Sequence, residues 1–327
     1  MRSRALYLDV VSVTEIARTP NFPLPYTLRD GWPVTEAETA RKLEAVGSAL
    51  HEILRQRLAI SPRKDVLLYV HGVANTFDDA LYTTAELWHY LGREFVPVAY
   101  TWPAGHGGLL RGYTYDRESS EFTVFHFKRF LAWLASLPEV EGIHIIAHSR
   151  GTGVAVTGLR ELVIESRARG EEPLARYKLR NVVLAAPDID LEVFMMRNET
   201  EAMSLAADRW TYYTSRSDGA IGLAQFLFSG LRIGRARYDS IGDLIRQRSD
   251  LIQSTLGNRE VLVEYEGRFG GRHGHDYFRT NPAVASDLVL TVRYGRDPGA
   301  EHGRPLKHRG AIFWKIGDDY LQTLDAN

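Results

Sequence analysis

Ser149 stands at the end of a short apolar run, Ile143-His144-Ile145-Ile146-Ala147, and is followed by Arg150-Gly151-Thr152-Gly153. Ala147 lies two residues before it and Gly151 two residues after. A strand that bends sharply into a helix needs small residues at both places, because larger side chains would collide with the neighbouring backbone. Such a bend leaves the serine hydroxyl exposed at its apex. A hydroxyl is a weak nucleophile without a base beside it. The chemistry implied is acyl transfer through serine, and the rest of the chain must supply the base, the acid and the oxyanion donors. The competing reading is a buried serine that caps the helix beginning at 150.

The base should be a histidine downstream of the acid if the parts follow the order Ser, Asp, His. His273 and His275 both qualify in Gly270-Gly271-Arg272-His273-Gly274-His275-Asp276-Tyr277-Phe278. His275 directly precedes a helical pattern, which anchors it better than His273. The His-x-His spacing also suits a metal, but no companion carboxylate or cysteine set accompanies it. For the acid, Asp218 ranks first, Asp190 second and Asp188 third, since the strand before Asp218 is nearest in sequence to the one that carries the histidine. Each of the three could equally cap a helix.

Negative charge on a carbonyl oxygen needs fixed backbone donors. One is expected at the N–H of Arg150. The other is expected in His71-Gly72-Val73-Ala74-Asn75, at Val73 first and Ala74 second, with Gly72 letting the backbone approach. His71, Gly72, Trp102 and His148 flank these positions and are the expected substrate-binding residues. Phe77, Tyr100, Trp102 and Phe226 are candidates for an acyl pocket, with plain core packing as the alternative for each.

These residues need a scaffold that gathers them. Residues 5–13 read as a first strand, and 18–33 as a loop on its Pro and Gly breakers. Thr35 can cap a helix to about residue 58, with Leu43, Val46, Leu50 and Ile53 on one face. Strands are expected at 66–70, 96–100, 143–147, 181–186, 210–214 and, as the last, 261–265. Helices are expected at 77–91, 116–136 and 150–168. Apolar strands separated by helices imply a mostly parallel sheet covered by helices on both faces. In such sheets ligands gather beyond the carboxyl ends of the strands. His71, Ser149, Asp188, Asp218 and His275 all follow a predicted strand. Residues 220–258 form a longer excursion, either a small lid or a helical insertion.

Lys plus Arg (40) nearly balances Asp plus Glu (41), so nothing points to nucleic acid as a partner. There are no cysteines, which removes thiol catalysis and zinc–thiolate sites. The amino terminus is basic, but Asp9 interrupts the apolar core a signal peptide needs. No run of about 18 apolar residues offers a membrane span. The expectation is a soluble, cytoplasmic protein whose partner is a small-molecule ester, with the oligomeric state unread.

Five stretches resemble the α/β-hydrolase superfamily. They are Leu68-Tyr69-Val70-His71-Gly72-Val73-Ala74-Asn75-Thr76-Phe77-Asp78-Asp79-Ala80, Ile146-Ala147-His148-Ser149-Arg150-Gly151, Leu184-Ala185-Ala186-Pro187-Asp188-Ile189-Asp190, Tyr213-Thr214-Ser215-Arg216-Ser217-Asp218 and His275-Asp276-Tyr277-Phe278. Together they are similar to a bacterial branch catalogued as a domain of unknown function, with esterase- and lipase-like members. Ala147 departs mildly from the usual glycine. The resemblance covers about residues 60–295 and implies one α/β-hydrolase domain over 1–327. Residues 1–59 would be an extension of strand and helix, and the tail after 295 adds nothing specific. It implies Ser149 as nucleophile, Asp218 as acid, His275 as base, and no metal or cofactor. The expected activity is a serine carboxylesterase on short or medium acyl esters. An amidase or peptidase on the same triad is a variant, and a catalytically silent binding scaffold is the alternative from another class. Dinucleotide binding fits poorly, because Gly151-Thr152-Gly153 lacks the third spaced glycine.

Overall fold

A hairpin, a long helix and then alternating strands and helices follow one another along the chain. The computed structural model describes residues 10–104, 109–228, 230–239, 259–267 and 274–324. Strands β1 (Tyr26–Arg29) and β2 (Trp32–Thr35) pair antiparallel. Their turn, Asp30-Gly31, has both φ angles positive, 53° and 80°. This is the tight two-residue hairpin turn that Asp-Gly favours. The loop expected over 18–33 is therefore partly a hairpin, and Pro33 is tolerated because a two-stranded ribbon has open edges. Residues 10–13 form no strand, and the rest of the strand expected over 5–13 lies outside the described residues. Thr35 ends β2 and does not cap α1 (Ala37–Ile60); Glu36 takes that position without a side-chain cap.

The alternation then runs β3 (Asp65–Val70), α2 (Phe77–Tyr90), β4 (Val96–Tyr100), α3 (Leu109–Ser136), β5 (Gly142–His148), α4 (Gly151–Ala168), α5 (Pro173–Tyr177), β6 (Leu179–Ala185), α6 (Leu191–Glu199), β7 (Ala207–Ser215), α7 (Gly219–Phe228) and β8 (Glu260–Tyr265). One turn of helix, α8 (Tyr277–Thr280), leads into α9 (Pro282–Val292). Beyond the strand expected to be last come β9 (Lys307–Gly310), β10 (Phe313–Ile316) and α10 (Tyr320–Leu324). Of the excursion at 220–258, α7 and residues 230–239 are described, while 229 and 240–258 lie outside the described residues.

The sheet order is β4-β3-β5-β6-β7-β8-β10-β9. All pairings are parallel except β10 with β9. The central strands are mostly apolar because both faces are covered. Along β3, Val66, Leu68 and Val70 pack on one side with Phe127 and Leu131 of α3 and Val154 of α4. Leu67 and Tyr69 face the other side, with Leu87 of α2 and Val284 and Leu288 of α9. The protein is thus an α/β-hydrolase-type fold, a mostly parallel sheet with helices on both faces. Among the described residues no helix is long and apolar enough to cross a membrane.

The tail after 295 is built into the fold. Phe313 of β10 pairs in register with Leu262 of β8. Arg304, fully buried, donates two hydrogen bonds to Asp287 of α9 at 2.9 and 2.8 Å. Tyr213 of β7 and Tyr320 of α10 donate to the same carboxylate.

Candidate active site

The turn from β5 into α4 is the sharpest feature at the carboxyl end of the sheet. Ser149 has a φ of 52°, a left-handed backbone that costs a non-glycine residue strain. The turn is held from several directions. Ser149 N–H donates to Ala185 O of β6 at 3.0 Å, and Ser149 O accepts from Thr152 N–H and Asp188 N–H. A β-carbon on Gly151 would lie 2.2 Å from His71 O and 2.7 Å from Val70 O. Glycine is required there for α4 to pack its first turn against the end of β3. Gly72 meets Ser149 just as closely from the other side, with 2.7 Å from a built β-carbon to the serine Cβ.

Two backbone donors remain unused beside this serine. Among the described residues the N–H groups of Val73 and Arg150 donate to no acceptor. Ala74 is different: its N–H is engaged by Asp116 Oδ2 at 2.9 Å. The engagement of Ala74 favours Val73 as the available donor in that loop. The Arg150 side chain is tied down elsewhere, to Ser120 Oγ and Glu121 Oε1 of α3.

Of the three candidate acids, only Asp218 meets His275. Its Oδ2 lies 2.8 Å from His275 Nδ1, and its Oδ1 accepts Ile221 N–H at 2.9 Å in the first turn of α7. The carboxylate is fully buried. Gly274 makes this approach possible: its φ is +68°, and a β-carbon there would lie 2.8 Å from Ser217 O. Asp190 caps α6, accepting from Glu192 N–H and Val193 N–H. Asp188 accepts from Tyr113 Oη–H and lies 3.7 Å from Arg232 Nε. His273 lies outside the described residues.

Burial alone would push the His275 imidazole down. The hydrogen bond and charge of Asp218, with Asp276 and Asp188 behind them, outweigh it and hold its pKa above the ordinary 6.5. His148 is driven the opposite way, well below that value, by burial first and then by the neighbouring His275. It stays neutral and donates from Nε2 to His275 O at 3.3 Å, with the two ring centroids 4.5 Å apart. Phe278 closes the other side of the His148 ring. Tyr277 anchors the same turn, donating to Tyr213 O of β7 at 2.6 Å.

Ser149 Oγ and His275 Nε2 are not bonded to each other, and neither has a hydrogen-bond partner among the described residues. His148 connects them, adjacent to one in sequence and tilted against the ring of the other in space. Catalytic hydrogen bonds in empty sites are commonly long and tighten when substrate is present.

The expected substrate-binding residues divide into two groups. Gly72 and His148 contact Ser149 and His275 as described. His71 and Trp102 are buried, 1% and 5% exposed, and serve each other. Their rings stack at 5.2 Å, Trp102 N–H donates to His71 Nε2, and Trp102 Nε1–H donates to His71 O. That leaves the His71 Nδ1–H to donate to Gly72 O at 2.9 Å. The pair braces the loop that presents Val73. Burial lowers the His71 pKa, which keeps this neutral tautomer in place. Of the acyl-pocket candidates, Tyr100 packs on Phe127 and Phe130 in the core, while Phe77 and Phe226 are exposed.

Tyr113, Arg232 and Tyr277 were not legible as site residues. Tyr113 lies before the helix start read at 116, Arg232 sits in the long excursion, and Tyr277 reads as one more core aromatic. The chain order Ser, Asp, His carries no signal for any of them. An apolar groove of about 560 Å³ lies away from this chemistry, between α1, α3 and the amino end of β4.

A family model described as an alpha/beta hydrolase of unknown function (DUF900) matches residues 47–293. No curated protein matches the chain. The match takes in the elbow at Ser149, Asp218, His275 and the sheet from β3 to β8, and the chain belongs to this family of α/β hydrolases.

Proposed function

We propose that the protein is a serine carboxylesterase that hydrolyses short- to medium-chain carboxylic esters through an acyl-enzyme. Ser149 Oγ attacks the ester carbonyl carbon while its proton passes to His275 Nε2. Asp218 holds the imidazole by Nδ1 and stabilises the imidazolium. The N–H groups of Val73 and Arg150 receive the oxyanion, and the amino end of α4 adds its positive dipole. Collapse of the tetrahedral intermediate breaks the bond to the alcohol, which takes the proton from His275. Water then gives a proton to His275 and attacks the acyl carbon, releasing the acid and returning the proton to Ser149.

The observation that carries this reading is the buried Asp218–His275 bond at the same sheet end as a strained serine flanked by two unused backbone donors. A buried carboxylate that raises a histidine beside a strained serine elbow is the arrangement expected of an acid–base relay. We read residues 1–327 as one domain, since the tail completes the sheet that carries the site.

Treatment of the intact protein with a fluorophosphonate, followed by peptide mass analysis, tests the assignment. The adduct should sit on Ser149 and be absent from Ser149→Ala. An adduct on another residue, or none, would reject Ser149 as the nucleophile.

A further inference from the structure

Arg216, Arg235 and Arg237 line a pocket of about 530 Å³ together with Gln225, Phe226 and Leu231. Among the described residues no carboxylate contributes to its lining. Neither Arg216 nor Arg235 has an acidic partner among the described residues. Arg216 is exposed and Arg235 half-buried, so two guanidinium charges reach this pocket without a carboxylate beside them among the described residues.

The pocket is lined in part by the segment that carries Asp218. Arg216 lies two residues before Asp218, and Gln225 and Phe226 belong to α7, the helix that Asp218 caps. Arg235 is presented by a clamped backbone. Ile233 N–H donates to Ile189 O at 3.0 Å and Gly234 N–H to Pro187 O at 2.9 Å. Thr214 of β7 donates to Ala236 O at 3.0 Å. Gly234 packs so tightly that a β-carbon would lie 2.9 Å from Pro187 O. The segment is thereby fixed across the ends of β6 and β7. Space for its guanidinium is made by Gly222, where a β-carbon would lie 2.1 Å from Arg235 Nη1. Gln225 Oε1 is buried with no hydrogen-bond partner, so the pocket also holds an unused acceptor.

Guanidinium groups that line one pocket favour an anion between them, and their planar forks match carboxylate and phosphate oxygens. Phe226 and Leu231 give the pocket an apolar wall for the atoms that join such a group to the ester. We infer that the substrate is an anionic ester, whose acyl or alcohol part carries a carboxylate or phosphate group held by Arg216 and Arg235. The inference rests on the esterase reading for its chemistry but on the arginine pocket for its ligand class.

The test compares 4-nitrophenyl hydrogen glutarate with neutral 4-nitrophenyl valerate on the full chain. The wild type should favour the glutarate in kcat/KM by about 10- to 100-fold, the value of a charge-assisted pair of hydrogen bonds. In Arg216→Gln and Arg235→Gln that ratio should fall to within about 3-fold of unity, and Arg235→Lys should restore part of it. Glutarate and inorganic phosphate, added as inhibitors, identify the preferred oxyanion by which competes at the lower concentration. A wild-type ratio at or below one, or a ratio unchanged in both glutamine variants, would overturn the inference. If neither ester is turned over, the esterase reading fails separately, and calorimetric titration with glutarate and phosphate decides the pocket. Binding lost in Arg235→Gln upholds it; no binding to the wild type overturns it.

Discussion

Gly72 approaches Ser149 so closely that a β-carbon added to it would lie 2.7 Å from the serine Cβ and 3.2 Å from Oγ. The third near atom is His148 O at 3.3 Å. None of these can move far, because Ser149 is fixed by backbone bonds to β6 and the loop after it. The alternative is for the 71–75 loop to retreat, taking the Val73 N–H with it.

Gly72→Ala should therefore lower kcat/KM by about 10²- to 10³-fold, the cost of losing one oxyanion donor. Most of the loss should appear in kcat, since the donor acts on charge that develops in the transition state. Ester kinetics on purified variant and wild type measure it. A loss confined to KM would place the role of the loop in substrate binding instead.

The pH dependence follows from the His275–Asp218 pair. The base must be neutral to accept a proton, so kcat/KM should rise with pH through a limb above 6.5, where Asp218 holds the imidazole. In Asp218→Asn burial is opposed only by the lesser charges of Asp276 and Asp188 and the limb should move to lower pH, while kcat falls by about 10³- to 10⁴-fold. Linkage carries the same sign into stability. The folded state binds this proton more tightly than the unfolded chain, so the pair stabilises fully below pH 6.5 and ceases to as pH rises through the raised value. Rate profiles and unfolding curves of both proteins across that range check the two effects together.

The site was more legible in the sequence than its supports. Ser149 and His275 announce themselves through short-range patterns, small residues around a serine and a histidine after a glycine. Asp218 was separable from Asp190 and Asp188 only by the nearness of its strand in sequence to the one before His275, because all three follow strands and all can cap helices. Their roles diverge through their partners, distant in sequence for two of them, His275 for Asp218 and Tyr113 for Asp188, and local for Asp190, which caps α6. The Asp30-Gly31 hairpin was hidden under proline breakers, although the dipeptide itself is a turn signal. The two strands beyond 295 are short and partly charged, as in Lys307-His308-Arg309-Gly310. The pairing of β10 with β8, and of β9 with β10, depends on contacts across the sheet that local periodicity does not record.

That tail should prove essential to folding. Arg304 and Asp287 are both fully buried and bonded twice. Arg304→Met leaves the carboxylate without its counter-charge, which should cost about 3–5 kcal/mol in denaturant unfolding. Asp287→Asn combined with Arg304→Met should recover part of the loss, because no isolated charge is then left inside. An Arg304→Met change within about 0.5 kcal/mol of wild type would mean the tail is an appendage.

Glu260 offers an independent check far from the serine. Burial pushes its carboxyl up to about 7, against the opposing hydrogen bond of Asn198 and the nearby Tyr212 hydroxyl. Its folded pKa exceeds the unfolded 4.5, so its unfavourable contribution grows as pH rises from 4.5 through about 7. Glu260→Gln should abolish this dependence and stabilise the fold by about 3 kcal/mol at pH 8, with little change at pH 4.5. Equal pH slopes for variant and wild type would show that Glu260 is not desolvated as described.

Hydrolysis of a 4-nitrophenyl acyl series from acetate to palmitate, with wild type and Ser149→Ala side by side, tests the nucleophile most directly. The account predicts turnover by the wild type that peaks at one short or medium chain length, and its loss in the variant to about 10⁻⁵ to 10⁻⁶ of the original kcat. Turnover that survives in Ser149→Ala would contradict it.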